Sequence, residues 1–96
     1  MKIHVKIYYL YFSLDESDFI LCECCKKNQA VDIHHIHAKK MGGHKTFTFN
    51  DEVYDINDII NLIALCRACH DDAHASILSK GMLMLEHRYR MAGKSF

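Results

Sequence analysis

The stretch Cys66-Arg-Ala-Cys69-His70-Asp-Asp-Ala-His74 packs two metal-ligand patterns into nine residues. Cys66 and Cys69 have the spacing of half a tetrathiolate zinc site. His70 and His74, four apart, share one face of the segment if it is helical. The adjacent pair Cys69 and His70 diverges by ~100° around a helix. Sulfur and imidazole could therefore serve two different metals, one holding the fold and one doing chemistry.

A second knuckle, Cys22-Glu-Cys-Cys25, precedes the first by 40 residues. Zinc holds four thiolates tetrahedrally at ~2.3 Å, and paired C-x-x-C knuckles reach that geometry with little strain. The plainer alternative is a set of buried, reduced thiols. The chain has five cysteines, an odd number. Cys24 is read as the bystander, although it could replace Cys22 or Cys25 in another register. A structural zinc held by Cys22, Cys25, Cys66 and Cys69 would tie the N-terminal third to the start of the helix. It would also add stability that a small core lacks.

Asp32-Ile-His34-His35-Ile36-His37 is the third chemical feature. Strand alternation puts Asp32 with His34 on one face and His35 with His37 on the other. Both members of the His34–His35 pair reach one site only if the strand ends or twists beside them.

The elements that must position these residues follow from pattern. Residues 1–12 are apolar with interspersed Lys2, His4 and Lys6; strand and helix compete there, with helix favoured from about Lys6. Ser13-Leu-Asp-Glu is a capping or turn signal. Residues 20–27 read as the cysteine knuckle, 31–36 as a strand, and 62–65 as a second strand. A long loop opens at Met41-Gly42-Gly43-His44, with a short extended piece at 46–50 and a helical turn within 55–60. Residues 67–79 read as a helix stopped by Lys80-Gly81, and 82–90 as a final amphipathic helix.

Ninety-six residues allow one small domain, which often needs a staple such as a metal or dimerisation. We divide it into an N-terminal extension (1–19), a zinc-knuckle and strand–helix core (20–79) and a C-terminal helix and tail (82–96). Half of the residues are hydrophobic, which excludes a disordered tail. No apolar run approaches the ~18 residues of a membrane span. The N-terminus lacks the parts of a secretion signal, so the expectation is a soluble, cytoplasmic protein whose cysteines bind metal rather than form disulfides. The 12 basic and 12 acidic residues cancel. Net charge thus gives no support for a nucleic-acid partner, and any such reading must come from the site.

Taken together, residues 22–74 resemble an HNH nuclease of the ββα-metal type. The match consists of the first knuckle, the Asp-x-His-His segment, Asn61-Leu-x-x-Leu-Cys66, the second knuckle and His70-x-x-x-His74. The nine residues from Asn61 to His70 and the four from His70 to His74 suit the family pattern; the interval from His34 to Asn61 is longer than in compact members. The resemblance implies an α+β fold, a ββα-metal domain stapled by a four-cysteine zinc site and flanked by helices. It implies that His35 is the general base, that His34, His70 and His74 hold one catalytic divalent metal, and that Asn61 steadies the loop so that His35 stays in line with the phosphate. Asp32 would orient a histidine from behind. His4 and His87 lie outside the match and are read as unrelated to the site, and His37 and His44 as loop or surface residues.

A histidine near its ordinary pKa of ~6.5 suits proton abstraction at neutral pH. Three imidazole ligands favour zinc, nickel, cobalt or manganese over magnesium. Lys39, Lys40, His44 and Lys45 on the loop, with Lys80, Arg88, Arg90 and Lys94 near the C-terminus, could bracket a phosphate backbone without reading sequence. The leading reading is a metal-dependent DNA endonuclease or nickase, acting on double-stranded DNA with little sequence preference, of the kind found in phages, bacteria and mobile elements. A non-catalytic zinc module binding nucleic acid or protein, and an RNase, are the alternatives. The sequence leaves a homodimer open.

Overall fold

The apolar run 62–65 ahead of the second knuckle and the half-apolar segment 32–35 after the first form short strands. The computed structural model describes residues 1–38 and 45–93. In chain order the elements are α1 (Ile3–Tyr11), β1 (Asp32–His35), β2 (Thr46–Phe49), β3 (Glu52–Asp55), a 3-10 turn (Ile59–Asn61), β4 (Leu62–Leu65), α2 (Arg67–His74) and α3 (Lys80–Gly93). The fold is α+β, with two antiparallel two-stranded sheets.

β1 pairs with β4, with His34 opposite Ile63 and His35 opposite Leu62. All four residues of β4 are buried, so one side packs each half of the core. Ile63 and Leu65 pack with Cys22, Ile36, Leu83 and Met84. Leu62 and Ala64 pack with Tyr8, Phe12 and Ile33. α1 therefore covers one side of the sheet while α3 and the cysteine knuckle close the other. Among the described residues, no helix is long and apolar enough to cross a membrane.

Three expectations about the elements need correction. The N-terminal helix begins at Ile3 rather than near Lys6. α2 ends at His74, not at Ser79: Ser76 has φ 61°, and the Asp72 carbonyl accepts from both Ile77 and Leu78, which turns the chain and returns Leu78 to the core. Lys80-Gly81 is not a stop but the first turn of α3, where the Ser79 hydroxyl accepts from the Met82 N–H. The long loop also contains a hairpin. β2 and β3 are joined by Asn50 and Asp51, both with positive φ (50° and 64°), the turn that matches strand twist.

The interior is tied by a carboxylate. Glu23, inside the first knuckle, is fully buried. Its Oε2 accepts from the Tyr8 hydroxyl (2.6 Å) and the Ala64 N–H (2.8 Å). Its Oε1 lies 2.6 Å from His87 Nδ1, and His87 Nε2 lies 2.6 Å from the Ile59 carbonyl. Both ring nitrogens of His87 face oxygen, so both contacts are hydrogen bonds only when ring and carboxyl hold two protons between them. Burial, reinforced by Glu23, pushes the Tyr8 phenol up, so it stays a donor. His87 is thus part of the core, as its exclusion from the site requires.

Removing the carboxylate strands three buried partners at once. Glu23→Ala is expected to lower stability by about 3–5 kcal/mol, read as a drop in the urea midpoint with an unchanged slope. A loss below about 1 kcal/mol would show that the helices do not depend on this anchor.

Candidate metal centres

Two ligand clusters lie on opposite sides of the α2 N-terminus. The first is Cys22, Cys25, Cys66 and Cys69, whose sulfurs all lie within 4.8 Å of one another. Cys22 and Cys66 are buried, Cys25 and Cys69 half-buried. The first knuckle is shaped by the Cys22 N–H donating to Asn28 O (2.9 Å), Lys26 N–H donating to Cys22 O (3.1 Å), and Lys26 in the left-handed region. Glu23 N–H donates to Ala64 O (2.9 Å), which fastens the knuckle to β4. Cys66 is the N-cap of α2 and Cys69 lies in its first turn.

The donor chemistry fits a tetrahedral thiophilic ion. A tetrahedron with ~2.3 Å bonds has edges of ~3.8 Å, and Cys25 Sγ lies 3.8 Å from Cys66 Sγ. The backbone N–H of Asn28 draws the Cys25 thiol down to about 6, whereas burial pushes Cys22 and Cys69 up. Crowded thiols of this kind lose their protons to a divalent ion rather than to water. Cys24 falls outside the tetrad, packs against the core, and is pushed up to about 11 by burial.

The second cluster is His34, His70 and His74, with ligand nitrogens within 4.8 Å of one another. The His70 and His74 Nε2 atoms are 3.1 Å apart, as i, i+4 placement on α2 allows. The His34 ring stands nearly perpendicular to both, at 5.1 and 5.2 Å. Burial, with His70 and His74 alongside, lowers His34 to about 4, so it is a neutral imidazole with a lone pair to give. Edges of ~3.3 Å are expected for nitrogens bound tetrahedrally at ~2.0–2.1 Å; the observed pair is close to that. Cys69 and His70, neighbours in sequence, fall in different clusters.

The remaining residues divide clearly. β1 ends at His35, so the alternation of Asp32 and His34 against His35 leaves all three on one open cleft of about 680 Å³, shared with His70 and His74. Asp32 Oδ2 lies 3.4 Å from His70 Nε2, the nitrogen that also faces His74. Asp32 therefore borders the cluster at the ligand nitrogen instead of orienting the ring from its far side. Asn61 is fully buried. Its Oδ1 accepts from His37 N–H (2.7 Å), and its Nδ2 donates to His37 O (3.0 Å) and Ile56 O (2.8 Å). His37 stacks on Phe47 with ring centroids 4.6 Å apart.

His4, read from sequence as unrelated, is at the cleft. Its ring lies 4.4 Å from that of His35, and its Nε2 donates to Ile33 O (3.1 Å). Burial and His35 lower its pKa. The helical N-terminus brings it there, a tertiary placement that spacing does not encode. Arg90 leaves the substrate set. It is buried, with its guanidinium 4.0 Å above the Phe12 ring, because α3 turns that position inward. Arg88 stays exposed, bordering a groove with Phe49 and Tyr54. Lys45 is exposed, while Lys39, Lys40, His44 and Lys94 lie outside the described residues. Glu23 and Asn57 are the contributors that sequence reasoning missed. A polar residue inside C-x-x-C and an Asn in an Asp-rich turn both pass for surface.

Comparison with protein-family models, with curated proteins and with solved structures finds no match.

Cobalt separates the two clusters. With cobalt(II) the tetrad is expected to give an intense thiolate-to-metal absorption. Cys66→Ser should lose that band and unfold, and Cys24→Ser should keep it. His70→Ala should keep the band while binding one ion fewer. Loss of the band in His70→Ala would put sulfur and imidazole on the same ion.

Proposed function

We propose that the chain is a metal-dependent endonuclease or nickase that hydrolyses DNA phosphodiester bonds. The observation that carries this reading is the convergence of three imidazole nitrogens from His34, His70 and His74 in a cleft that also holds His35. Three ligands leave positions open for substrate, as catalytic sites do and closed structural sites do not. The order of β1, β4 and α2, with the ligands on β1 and α2, supports the ββα-metal arrangement that the sequence resembles.

In this reading His34, His70 and His74 would hold a divalent cation, which would supply Lewis acidity for phosphodiester hydrolysis. The protein's own groups do the rest. His35 is outside the ligand cluster, so its ring is free to take a proton from the attacking water. Asn61 ties the chain just past β1 to the turn at Ile56, which fixes the distance between His35 and the facing loop. Asp32, 3.4 Å from His70 Nε2, adds a carboxylate oxygen at the edge of the three-histidine cluster. A structural zinc on Cys22, Cys25, Cys66 and Cys69 would anchor the first turn of α2, and so set where His70 and His74 point. Lys45 is the candidate phosphate contact of the loop among the described residues. Among the described residues no helix resembles a base-reading recognition helix, so cleavage should depend little on sequence.

The decisive experiment is plasmid relaxation with a panel of zinc, nickel, cobalt, manganese and magnesium. Wild type should convert supercoiled DNA to nicked or linear forms with at least one metal. His35→Ala should lower cleavage by at least about 100-fold while keeping fold and metal content. Loss of metal in that variant would mean that His34 and His35 exchange roles. Supercoiled DNA left intact under every metal would favour a zinc-binding interaction module, and cleavage of RNA alone would make the protein an RNase.

A further inference from the structure

We propose that Asn57 is a positioning residue that holds His35 as the Nε2–H tautomer and leaves Nδ1 as the lone pair that accepts the proton; the role rests on the nuclease reading above. Asn57 Oδ1 lies 2.8 Å from His35 Nε2. A neutral imidazole carries one N–H and one lone pair. An amide oxygen only accepts, so the contact places the hydrogen on Nε2 and the lone pair on Nδ1. Among the described residues Nδ1 has no hydrogen-bond partner. Both side chains line the cleft that holds the three-imidazole cluster.

The turn that carries Asn57 is built to keep that bond. Asp55 Oδ1 accepts from the Asn57 N–H (2.8 Å), and Asp58 Oδ1 accepts from Ile60 N–H (3.1 Å). Ile56 is buried, and its N–H donates to Lys45 O (2.7 Å). Asn61 then spans the two backbones that matter. It grips His37, two residues past His35, and the carbonyl of Ile56, one residue before Asn57. The His4 ring packs against His35 as well. His35 is therefore held by ring packing, by its strand and, at one nitrogen, by Asn57.

An amide suits this task better than a carboxylate. It fixes the tautomer and adds no negative charge to a cleft meant for a phosphodiester. The opposite amide orientation, with the NH2 group toward Nε2, would reverse the assignment, because it would place the lone pair on Nε2 and occupy it.

Long-range 1H–15N correlation spectra of histidine-labelled protein decide the tautomer directly. They are recorded at about pH 8, above the ordinary imidazole range, with His35→Gln identifying the signal. Wild type should show the Nε2–H form. Asn57→Ala should shift the ring toward a mixture and lower kcat for plasmid nicking by about 10–100-fold with KM little changed. Asn57→Asp, which keeps an acceptor, should restore the Nε2–H signal and part of kcat. An Nδ1–H signal in wild type, or a tautomer unmoved in Asn57→Ala, would overturn the assignment. Because the spectrum is read without turnover, a wild type that cuts nothing would sink the nuclease reading alone and leave the spectrum to decide Asn57.

Discussion

A carboxylate removed from water must have its oxygens occupied, or it costs several kilocalories per mole. Glu23 satisfies that demand with groups from three separate elements: the Tyr8 hydroxyl on α1, the Ala64 N–H on β4 and the His87 ring on α3. Its own backbone N–H returns to Ala64, so the bond to β4 is reciprocal. Glu23 also lies between Cys22 and Cys25. The residue that anchors both long helices is thus the residue that holds the first knuckle against the sheet. Position of the thiol tetrad and closure of the core consequently share one anchor.

From that anchor the geometry of α2 follows. Cys66 caps the helix and Cys69 sits in its first turn, so the sulfur cluster sets where the helix begins and how it is rotated. A rotation of ~100° per residue then turns His70 to the other side, and His74 follows one turn later. The same helix start serves both clusters. Two ligand sets of different hardness stay apart because sulfur lies toward the α3 side of the sheet and imidazole toward the open cleft.

The two adjacent histidines of the cleft have different surroundings. His34, lowered to about 4 by burial and its histidine neighbours, faces α2 and is ready to donate a lone pair. His35, the next residue, faces α1 and the Asn57 turn. Strand alternation alone would send these two rings to opposite faces for good. The end of β1 at His35, and the grip of Asn61 on His37 just beyond, keep both at one opening.

The spacing of cysteines and histidines was enough to pick out the two knuckles and the His70–His74 pair, because C-x-x-C and H-x-x-x-H are short-range patterns; that His34 joins His70 and His74 was implied by the family resemblance, and the fold brings the three together. The two central strands and the helix after Cys66 were equally legible from apolar runs and β-branched residues. The end of α2 was not, since Ser76 carries no strong breaker signal and the turn is made by Asp72 accepting two N–H groups. Nor were Glu23, His4, Asn57 and the inward turn of Arg90. Each is polar and looks like surface in one dimension. Whether a polar side chain is exposed or bonded depends on partners distant in the chain, 64 residues in the case of Glu23 and His87, and only the folded chain brings such partners together.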